Sequence, residues 1–283
     1  MTDDERHSLL AKVEAFMGTL CTGEPGLLRG IIGDHFSAGG SRVRARLALE
    51  AGHALGLPQS ICIALAGGCE LLHNASLVHD DLQDRDAMRR NAPSMWAAHG
   101  EDAAICAGDL MLSASYAAFA QAGPKSAQMI THAHCRVAQV IAGQCDDLRL
   151  GGRCIDPEVY ERVAAAKSGP LLALPLELAL IAADHEPLVN AARRAATLFA
   201  IAYQMLDDLA DADRDATNGS LNAVAVYAAM GSPDPRRAVR QKAIERLDAF
   251  AQFAAELPNG LAQTLVARAT PIRLALGIQP ETA

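Results

Sequence analysis

The sequence predicts an all-α protein, and two observations support this: its composition and the spacing of its helix breakers. Of the 283 residues, 51% are hydrophobic but only 4% are aromatic. Ala and Leu dominate, which favours closely packed helices, whereas strands are rich in Val, Ile, Tyr and Phe. Breakers containing glycine or proline recur at short intervals and leave segments of helical length between them. Because no low-complexity linker interrupts the chain, we expect a single domain over residues 1–283.

Two segments carry the clearest helical pattern. From Gln59 to Asp84, apolar residues recur near i, i+3 and i+4 spacings with no internal proline, which predicts one long helix. A second long helix is predicted from about Val189 to Asp213. The apolar stretch from Leu171 to Ala183 contains Pro175 and is shorter than the roughly 20 residues needed to cross a bilayer. It is therefore predicted to be a buried core helix.

Charge and cysteine content exclude several classes of function. The net charge of −8 argues against nucleic-acid binding, since such domains are usually basic, but a small anion could bind where metal ions reverse the local field. The seven cysteines form no Cys-x-x-Cys pair, so neither a disulfide framework nor a zinc site is predicted. The acidic N-terminal sequence lacks the features of a secretory signal. These observations predict a cytoplasmic protein with no nucleic-acid partner and no transmembrane segment.

Each predicted long helix carries an Asp-Asp-x-x-Asp cluster. The clusters consist of Asp80, Asp81 and Asp84, and of Asp207, Asp208 and Asp211. Residues i and i+4 share a helix face, and like charges there destabilise the helix by a few tenths of a kcal/mol per pair, so a cation should compensate. Carboxylates suit Mg²⁺, which completes its shell with waters and phosphate oxygens. Facing one another, the clusters would form a magnesium-filled diphosphate site, and the plainer alternative is a pair of acidic helix ends.

The sequence around the first cluster resembles a known family. Residues 73–81 read HNASLVHDD, which is similar to the His-x-x-Ser-Leu-Ile-His-Asp-Asp motif of the trans-isoprenyl diphosphate synthases, the polyprenyl synthetase family. Further motifs of this family occur before and after it, in the same order as in the family, over about residues 30 to 215. They are Gly39-Gly40-Ser41-Arg42-Val43-Arg44, Arg89-Arg90, Ala107-Gly108-Asp109, Gly143-Gln144 with Asp147, Lys167-Ser168-Gly169, and Tyr203-Gln204 before Asp207. This shared order makes the resemblance specific.

The resemblance implies an isoprenoid-synthase-type helical bundle around a deep central cavity, a homodimer and about three Mg²⁺ ions. Its substrates would be an allylic diphosphate and isopentenyl diphosphate. Ionisation of the allylic diphosphate would give a carbocation, which the double bond of isopentenyl diphosphate attacks before a proton is lost. Electrostatic stabilisation of the departing diphosphate would be the main catalytic effect.

The resemblance also implies roles for individual residues. All six aspartates would bind metal. Arg89 would contact the allylic diphosphate, whereas Arg42, His73 and Arg90, with Ser41 beside them, would contact isopentenyl diphosphate. Lys167, Ser168 and Gln204 would lie over the reacting carbons and the diphosphate oxygens, and would act in catalysis with the aspartates.

Plainer interpretations exist for these residues when each is taken alone. The arginines could belong to solvated surfaces, His73 could be a hydrogen-bonded core residue, and Gln204 could satisfy buried backbone groups. Lys167 could cap a helix C-terminus beside Gly169.

Two departures from the family pattern fall where the second substrate should bind. Ser41 replaces a lysine, and serine donates a weaker hydrogen bond than a charged group. The segment 212–222 after the second cluster appears as a short loop without lysine, and Arg214 is its only cation. These departures leave open an unusual acceptor, a cyclisation, or a non-catalytic partner subunit of a heteromeric synthase.

Two other enzyme classes fit less well. A terpene cyclase would normally carry Asn-Asp-x-x-Ser-x-x-x-Glu as its second metal motif, which residues 207–211 do not match. A metal phosphohydrolase using His79 and Asp80 would need a companion histidine motif.

For the synthase, product length would be set by the side chains below the first cluster. Ala75 and Ser76 are small, and Leu72 with Tyr116 and Phe119 could close the floor, which predicts a product of fifteen to twenty carbons.

Overall fold

The computed structural model describes residues 1–21, 26–258 and 260–277. It confirms the all-α class, because apart from one two-stranded hairpin every regular element in these ranges is helical. The helices fall into two compact units. The first comprises the described residues of 1–131 with 178–184, and the second those of 132–177 with 185–283. The single domain expected from the sequence stays a prediction.

The first unit holds the N-terminal elements. They are α1 (Asp3–Cys21), α2 (Leu27–Ser37), α3 (Val43–Ala54), α4 (Gln59–Gln83), strands β1 (Met88–Arg89) and β2 (Ala92–Pro93), α5 (Met95–His99), α6 (Glu101–Phe119) and the start of α7 (Ser126–Leu150). Helix α4 is the central element and packs against α1, α3 and α6. It confirms the long helix predicted from Gln59, and it ends one residue earlier than expected, with Asp84 as its C-cap.

Two adjacent glycines allow aromatic rings to reach the backbone of α4. A Cβ on Gly67 would lie 2.9 Å from the ring of Phe16, and one on Gly68 would lie 2.3 Å from the ring of Phe119. Phe119 itself is 0% exposed. Both positions therefore require the absence of a side chain, and the two rings fill the space beside the middle of α4.

The second unit holds the C-terminal elements and most of α7. Its remaining elements are most of α8 (Pro157–Ala182), a short 3₁₀ helix (Glu186–Leu188), α9 (Val189–Asn218), α10 (Ala223–Ala229), α11 (Pro235–Ala255) and α12 (Gln263–Ala275). Helix α9 packs against α10, α11 and α12.

Helix α9 is longer than the sequence predicted. It begins at Val189 as expected but continues to Asn218, where Gly219 adopts a left-handed conformation with φ of 69° and ends it. Residues 214–218, beyond the end predicted for this helix, were expected to belong to a loop, and this prediction was wrong. The helix continues because no proline or glycine interrupts it before Gly219, which is well suited to terminate a helix.

Helix α8 confirms the buried core helix predicted around Leu171, whose neighbours up to Ile181 are buried. Lys167 and Gly169 lie inside this helix, so the alternative that Lys167 caps a helix end was wrong. Helices α4 and α8 are long and apolar enough to span a membrane, but 72% and 78% of their most apolar windows are buried. That degree of burial is typical of core helices.

A buried charge network joins α7 to α8 within the second unit. Glu177 is 0% exposed and accepts hydrogen bonds from Arg136 Nε at 2.7 Å and Nη2 at 2.9 Å. His132 Nε2 lies 2.8 Å from the same carboxylate. Burial opposes ionisation of Glu177, but the hydrogen bonds from His132 and Arg136 outweigh it, so the pKa of Glu177 lies below its ordinary value. The carboxylate is therefore charged at neutral pH.

Candidate active site

The first aspartate cluster lies at the C-terminal end of α4, as the sequence predicted. Asp80 and Asp81 belong to its last turn, and the backbone N–H of Asp84 donates to the Asp80 carbonyl at 2.8 Å. Asp80 is half-buried and Asp84 is exposed, whereas Asp81 is only 2% exposed. The three carboxylates are thus in different environments although they share one short motif.

Asp81 is paired with Arg89 from the β1–β2 hairpin. The Nε of Arg89 lies 2.6 Å from Asp81 Oδ1 and 2.7 Å from Oδ2. The two-residue turn between the strands consists of Arg90 and Asn91, whose φ angles of 54° and 64° suit the twist of a tight hairpin. The hairpin therefore delivers Arg89 and Arg90 beside the first cluster.

Arg90 of this hairpin and the nearby Arg42 are both held by contacts within the first unit. Arg90 packs against Gly40, where a Cβ would lie 2.5 Å from Nη1, and it donates to the Gly39 carbonyl. Arg42 is 8% exposed, and its guanidinium donates to Glu14 at 2.9 Å and to the carbonyls of Phe36 at 2.9 Å and Gly39 at 3.3 Å. The donors of Arg42 are thus largely committed to the fold itself.

Two histidines close to these arginines, His35 and His73, are neutral. Burial, opposed by a hydrogen bond to Asn74, lowers the pKa of His35 to about 4, and nearby arginines add to the effect. Burial and then Arg44 lower the pKa of His73 well below its ordinary value. Arg44 Nη1 donates to His73 Nε2 at 3.0 Å, which a protonated ring could not accept. His73 is therefore uncharged, and its Nε2 is occupied by the hydrogen bond from Arg44.

The second aspartate cluster lies on α9. Asp208 is 2% exposed, and three donors bond to its carboxylate. Tyr160 Oη and the backbone N–H of Ala223 each donate to Oδ2 at 2.7 Å, and Gln204 Nε2 donates to Oδ1 at 3.0 Å. Burial raises the pKa of Asp208, and these donors oppose the rise. Burial also raises the pKa of Tyr160 well above its ordinary value, so this hydroxyl keeps its proton and donates.

Asp207 and Asp211 differ from Asp208. Burial, then the charges of Asp208 and Asp211, raise the pKa of Asp207 from 3.8 to about 7. No hydrogen bond from the described residues offsets this rise. Asp211 is 42% exposed and pairs with Arg214, whose Nη2 lies 2.9 Å from its Oδ2. A divalent cation would relieve the repulsion between these carboxylates, which is the charge arrangement expected of a metal site.

The predicted Lys167 lies where α7 and α8 touch. Its Nζ lies 2.6 Å from Asp147 Oδ2, and Ser168 is half-buried beside it. A Cβ on Gly143 would lie 2.5 Å from the backbone nitrogen of Lys167, so the glycine allows the two helices to approach. The Gly-Gln-x-x-Asp and Lys-Ser-Gly motifs therefore form one contact.

The predicted site residues thus form two groups. The first unit brings together Ser41, Arg42, His73, Arg89 and Arg90 with the first cluster, and the second unit brings Gln204 to the second cluster and Lys167 to Asp147. Sequence reasoning missed Tyr160 and Asn222, which bond to Asp208, and also His35. Tyr160 lies 48 residues from Asp208 and His35 lies 39 residues from Asn74, so no local pattern indicated these contacts. Asn222 lies in segment 212–222, which was interpreted as a loop.

The donor set suits magnesium. Within the described ranges, no three His, Cys, Asp or Glu side chains are already grouped as a metal site. Mg²⁺ does not need such a group, because it takes one or two carboxylates and fills its other positions with waters and phosphate oxygens. Each cluster offers only hard carboxylate oxygens, so the residues present fit Mg²⁺.

Comparisons with known proteins identify related chains. The model of the family described as polyprenyl synthetase matches residues 25–222. A nonaprenyl diphosphate synthase of Mycobacterium tuberculosis is 29% identical over 209 residues, which cover 73% of this chain and 62% of that protein. Geranylgeranyl pyrophosphate synthase 7 of Arabidopsis thaliana is 32% identical over 186 residues, 62% of this chain and 54% of that protein. The matches thus span between 54% and 62% of these curated relatives.

A solved structure shows the same fold. The geranylgeranyl pyrophosphate synthetase from the archaeon Geoglobus acetivorans superposes with a TM-score of 0.86 and covers 95% of this chain and 98% of that one. Its sequence identity is 21%, so this similarity describes the fold alone.

Proposed function

Because this chain belongs to the polyprenyl synthetase family, we propose that it is a Mg²⁺-dependent prenyltransferase that condenses an allylic diphosphate with isopentenyl diphosphate. The product would be an all-trans prenyl diphosphate of fifteen to twenty carbons. The observation that carries the proposal is the charge arrangement of the first unit. There, Asp81 at the end of α4 pairs with Arg89, and three arginines (Arg44, Arg89 and Arg90) surround a neutral His73, in a chain whose net charge is −8.

The carboxylates divide into two roles under this proposal. Asp81 and Asp208 are buried and committed to Arg89 and to the three donors described above, so they orient the clusters. The metal ions would be held by Asp80, Asp84, Asp207 and Asp211. When bound there, Mg²⁺ would supply the positive charge that neutralises the diphosphate and stabilises it as a leaving group.

The other site residues act on the substrates. Arg89 is held by Asp81 and would present its remaining N–H groups to the allylic diphosphate. Arg90 and the neutral His73 would bind isopentenyl diphosphate, with the hydroxyl of Ser41 as an additional donor. Lys167 and Ser168 would lie beside the leaving diphosphate, and Lys167 would remain oriented by Asp147.

A second candidate function has one specific observation in its favour. Arg42 is the residue that the family resemblance assigns to isopentenyl diphosphate, yet its guanidinium donates to Glu14 and to two backbone carbonyls. Together with Ser41 in place of lysine, this leaves fewer cations for the second substrate. An atypical prenyltransferase that uses another acceptor, or a cyclase, would keep the ionisation step and lose the need for those contacts.

Product length is supported by the packing beside α4. Gly68 precedes Asp80 by twelve residues, which corresponds to about 18 Å along the helix. The ring of Phe119 fills the space at that depth, while Ala75 and Ser76 one turn below the cluster are small. A barrier this far below the first cluster leaves room for more than a ten-carbon chain.

The experiment is a substrate panel. The full chain is incubated with Mg²⁺ and dimethylallyl, geranyl or farnesyl diphosphate, each with and without isopentenyl diphosphate, and the products are identified by mass spectrometry. Elongation only with isopentenyl diphosphate supports the proposal. A cyclic or hydrolysed product in its absence supports the second candidate. No turnover in any reaction contradicts both and leaves a non-catalytic partner subunit.

A matched pair of variants ties the activity to the first cluster. Asp84→Asn removes a proposed metal ligand, whereas Asp86→Asn makes the same change at another exposed aspartate two residues later. Elongation should fall by at least tenfold in the first variant and stay within about twofold of wild type in the second. Equal losses would contradict the assignment.

Sedimentation equilibrium on the wild-type protein tests the homodimer that the family resemblance implies.

A further inference from the structure

The segment 219–222, which joins α9 to α10, is fastened to the second cluster by Asn222. This side chain is 2% exposed. Its Nδ2 donates to the Asp208 carbonyl at 2.9 Å and to Asp215 Oδ2 at 2.9 Å, and its Oδ1 accepts from the backbone N–H of Val224 at 2.8 Å. A single amide therefore caps α10 and ties its start to two positions on α9.

The Asp208 carboxylate completes this attachment. It accepts from the backbone N–H of Ala223, the first residue of α10, and from the hydroxyl of Tyr160 near the start of α8. The turn after α7 also touches this segment, because a Cβ on Gly151 would lie 2.8 Å from the Gly219 carbonyl. Three helices are thus joined at one buried carboxylate, next to the segment that the sequence predicted to be a short loop without lysine.

The hydrogen bonds to Asp208 also restrict the position of its neighbour, Asp207. Asp207 precedes Asp208 directly, so fixing Asp208 on both of its oxygens fixes the backbone from which the Asp207 side chain projects. The same donors keep Asp208 from competing with Asp207 for a cation, because a carboxylate that already accepts three hydrogen bonds gains less from a metal. The donors thus influence metal binding without touching the metal.

We propose, on the basis of the function proposed above, that Tyr160 and Asn222 are positioning residues: they hold Asp208 and the start of α10 so that Asp207 is pre-organised to bind Mg²⁺ with the substrate diphosphate. Neither residue contacts the substrate. Pre-organisation of this kind lowers the ordering cost of binding. The short segment after α9 therefore needs no lysine-rich loop to complete the second cluster.

The test uses the full chain with Mg²⁺ and inorganic diphosphate, which binds without reacting. Calorimetric titration gives the Mg²⁺ concentration at half-saturation. Tyr160→Phe removes the donor and keeps the ring, and it should raise that concentration at least fivefold. In kinetic assays, its loss of activity should shrink as Mg²⁺ is raised, since kcat recovers once the site is filled. A purely structural role would not produce this dependence on Mg²⁺.

Two further variants keep the result interpretable. Tyr227→Phe makes the same change on α10, outside this network, and should leave the half-saturation concentration within twofold of wild type. Asn222→Ser keeps a hydroxyl that can cap α10 but is too short to bridge Asp208 and Asp215, so it should repeat the effect of Tyr160→Phe. It also serves as the test if Tyr160→Phe does not fold.

The possible outcomes distinguish failure of this inference from failure of the proposed function. An unchanged half-saturation concentration in a folded Tyr160→Phe or Asn222→Ser protein overturns the inference, even if its melting temperature falls. If the wild type turns over its substrates while the variants bind Mg²⁺ normally, only the inference fails. If the wild type binds Mg²⁺ and diphosphate but elongates nothing while the variants bind weakly, only the proposed function fails. A wild type that binds no diphosphate with Mg²⁺ overturns both.

Discussion

Replacing Asp207 by asparagine should change stability and activity in opposite directions. Burial and the neighbouring carboxylates raise the pKa of Asp207 from 3.8 to about 7. In the metal-free protein at pH 8 this group is ionised in both the folded and the unfolded states, but its charge is less favourable in the fold. Asp207→Asn removes that charge and keeps the size of the side chain. The metal-free variant should therefore be more stable than the wild type.

The magnitude follows from the pKa difference. A difference of about three pKa units at about 1.4 kcal/mol per unit gives an upper value of about 4 kcal/mol, and partial solvent exposure reduces this to about 2–3 kcal/mol. Because the folded-state pKa of Asp207 is raised, the fold gains stability as the pH falls from about 7 towards 3.8 and the group takes up its proton. The advantage of asparagine is thus full at pH 8, shrinks below pH 7 and disappears near pH 4.

The assay is urea unfolding of metal-free wild type and variant at pH 8, 7, 6 and 5 with a chelator present. Asp208→Asn is the matched control, because its carboxylate accepts three donors and an amide group would place N–H against one of them. That change should destabilise the fold by about 1–3 kcal/mol. Asp207→Asn should also abolish elongation. An Asp207→Asn gain that is absent at pH 8, or independent of pH, refutes the reasoning.

Three further changes have definite expected results. Phe119→Ala should lengthen the main product by at least one five-carbon unit, because it removes the ring beside α4, whereas Phe16→Ala should not, and chromatography of the products checks both. Glu177→Ala should destabilise the fold by about 3–5 kcal/mol, measured by denaturant unfolding, because it leaves Arg136 buried without its carboxylate. Gly143→Ala should lower the melting temperature, since its Cβ would lie 2.5 Å from the backbone of α8, an overpacking that costs about 1–3 kcal/mol.

Local patterns explain which parts of the fold were predictable. Helix α4 and its terminal cluster depend on the spacing of neighbouring residues, so both could be read from the sequence within one residue. The β1–β2 hairpin could not, because Arg90 adopts a left-handed backbone that residues other than Gly, Asn and Asp seldom take. The end of α9 was misplaced because a polar, aspartate-rich stretch was interpreted as a loop, although only Gly219 breaks the helix.

The site was predictable as a set of charges but not as a set of partners. Spacing on a helix brings Asp80 and Asp84 together, yet nothing local indicates that Asp208 meets Tyr160, which lies 48 residues away. In the same way, the motif containing Arg42 identified a cation. Only the fold shows that Glu14 and two carbonyls take up its donors.

The hydrogen-bond partners of Asn222 and Arg42 bear on how this chain would bind the second substrate of the proposed reaction. The sequence placed two weaknesses at the second substrate, one at Ser41 and one in the segment after Asp211. The segment after Asp211 is mostly helix, and Asn222 fastens its end to α9, so it is more ordered than the expected loop. Beside Ser41, Arg42 is buried and already bonded, so fewer of its donors remain for a ligand. Under the proposed function, a change in chemistry should therefore concern the acceptor that the carbocation meets, while the ionisation of the allylic diphosphate would be retained.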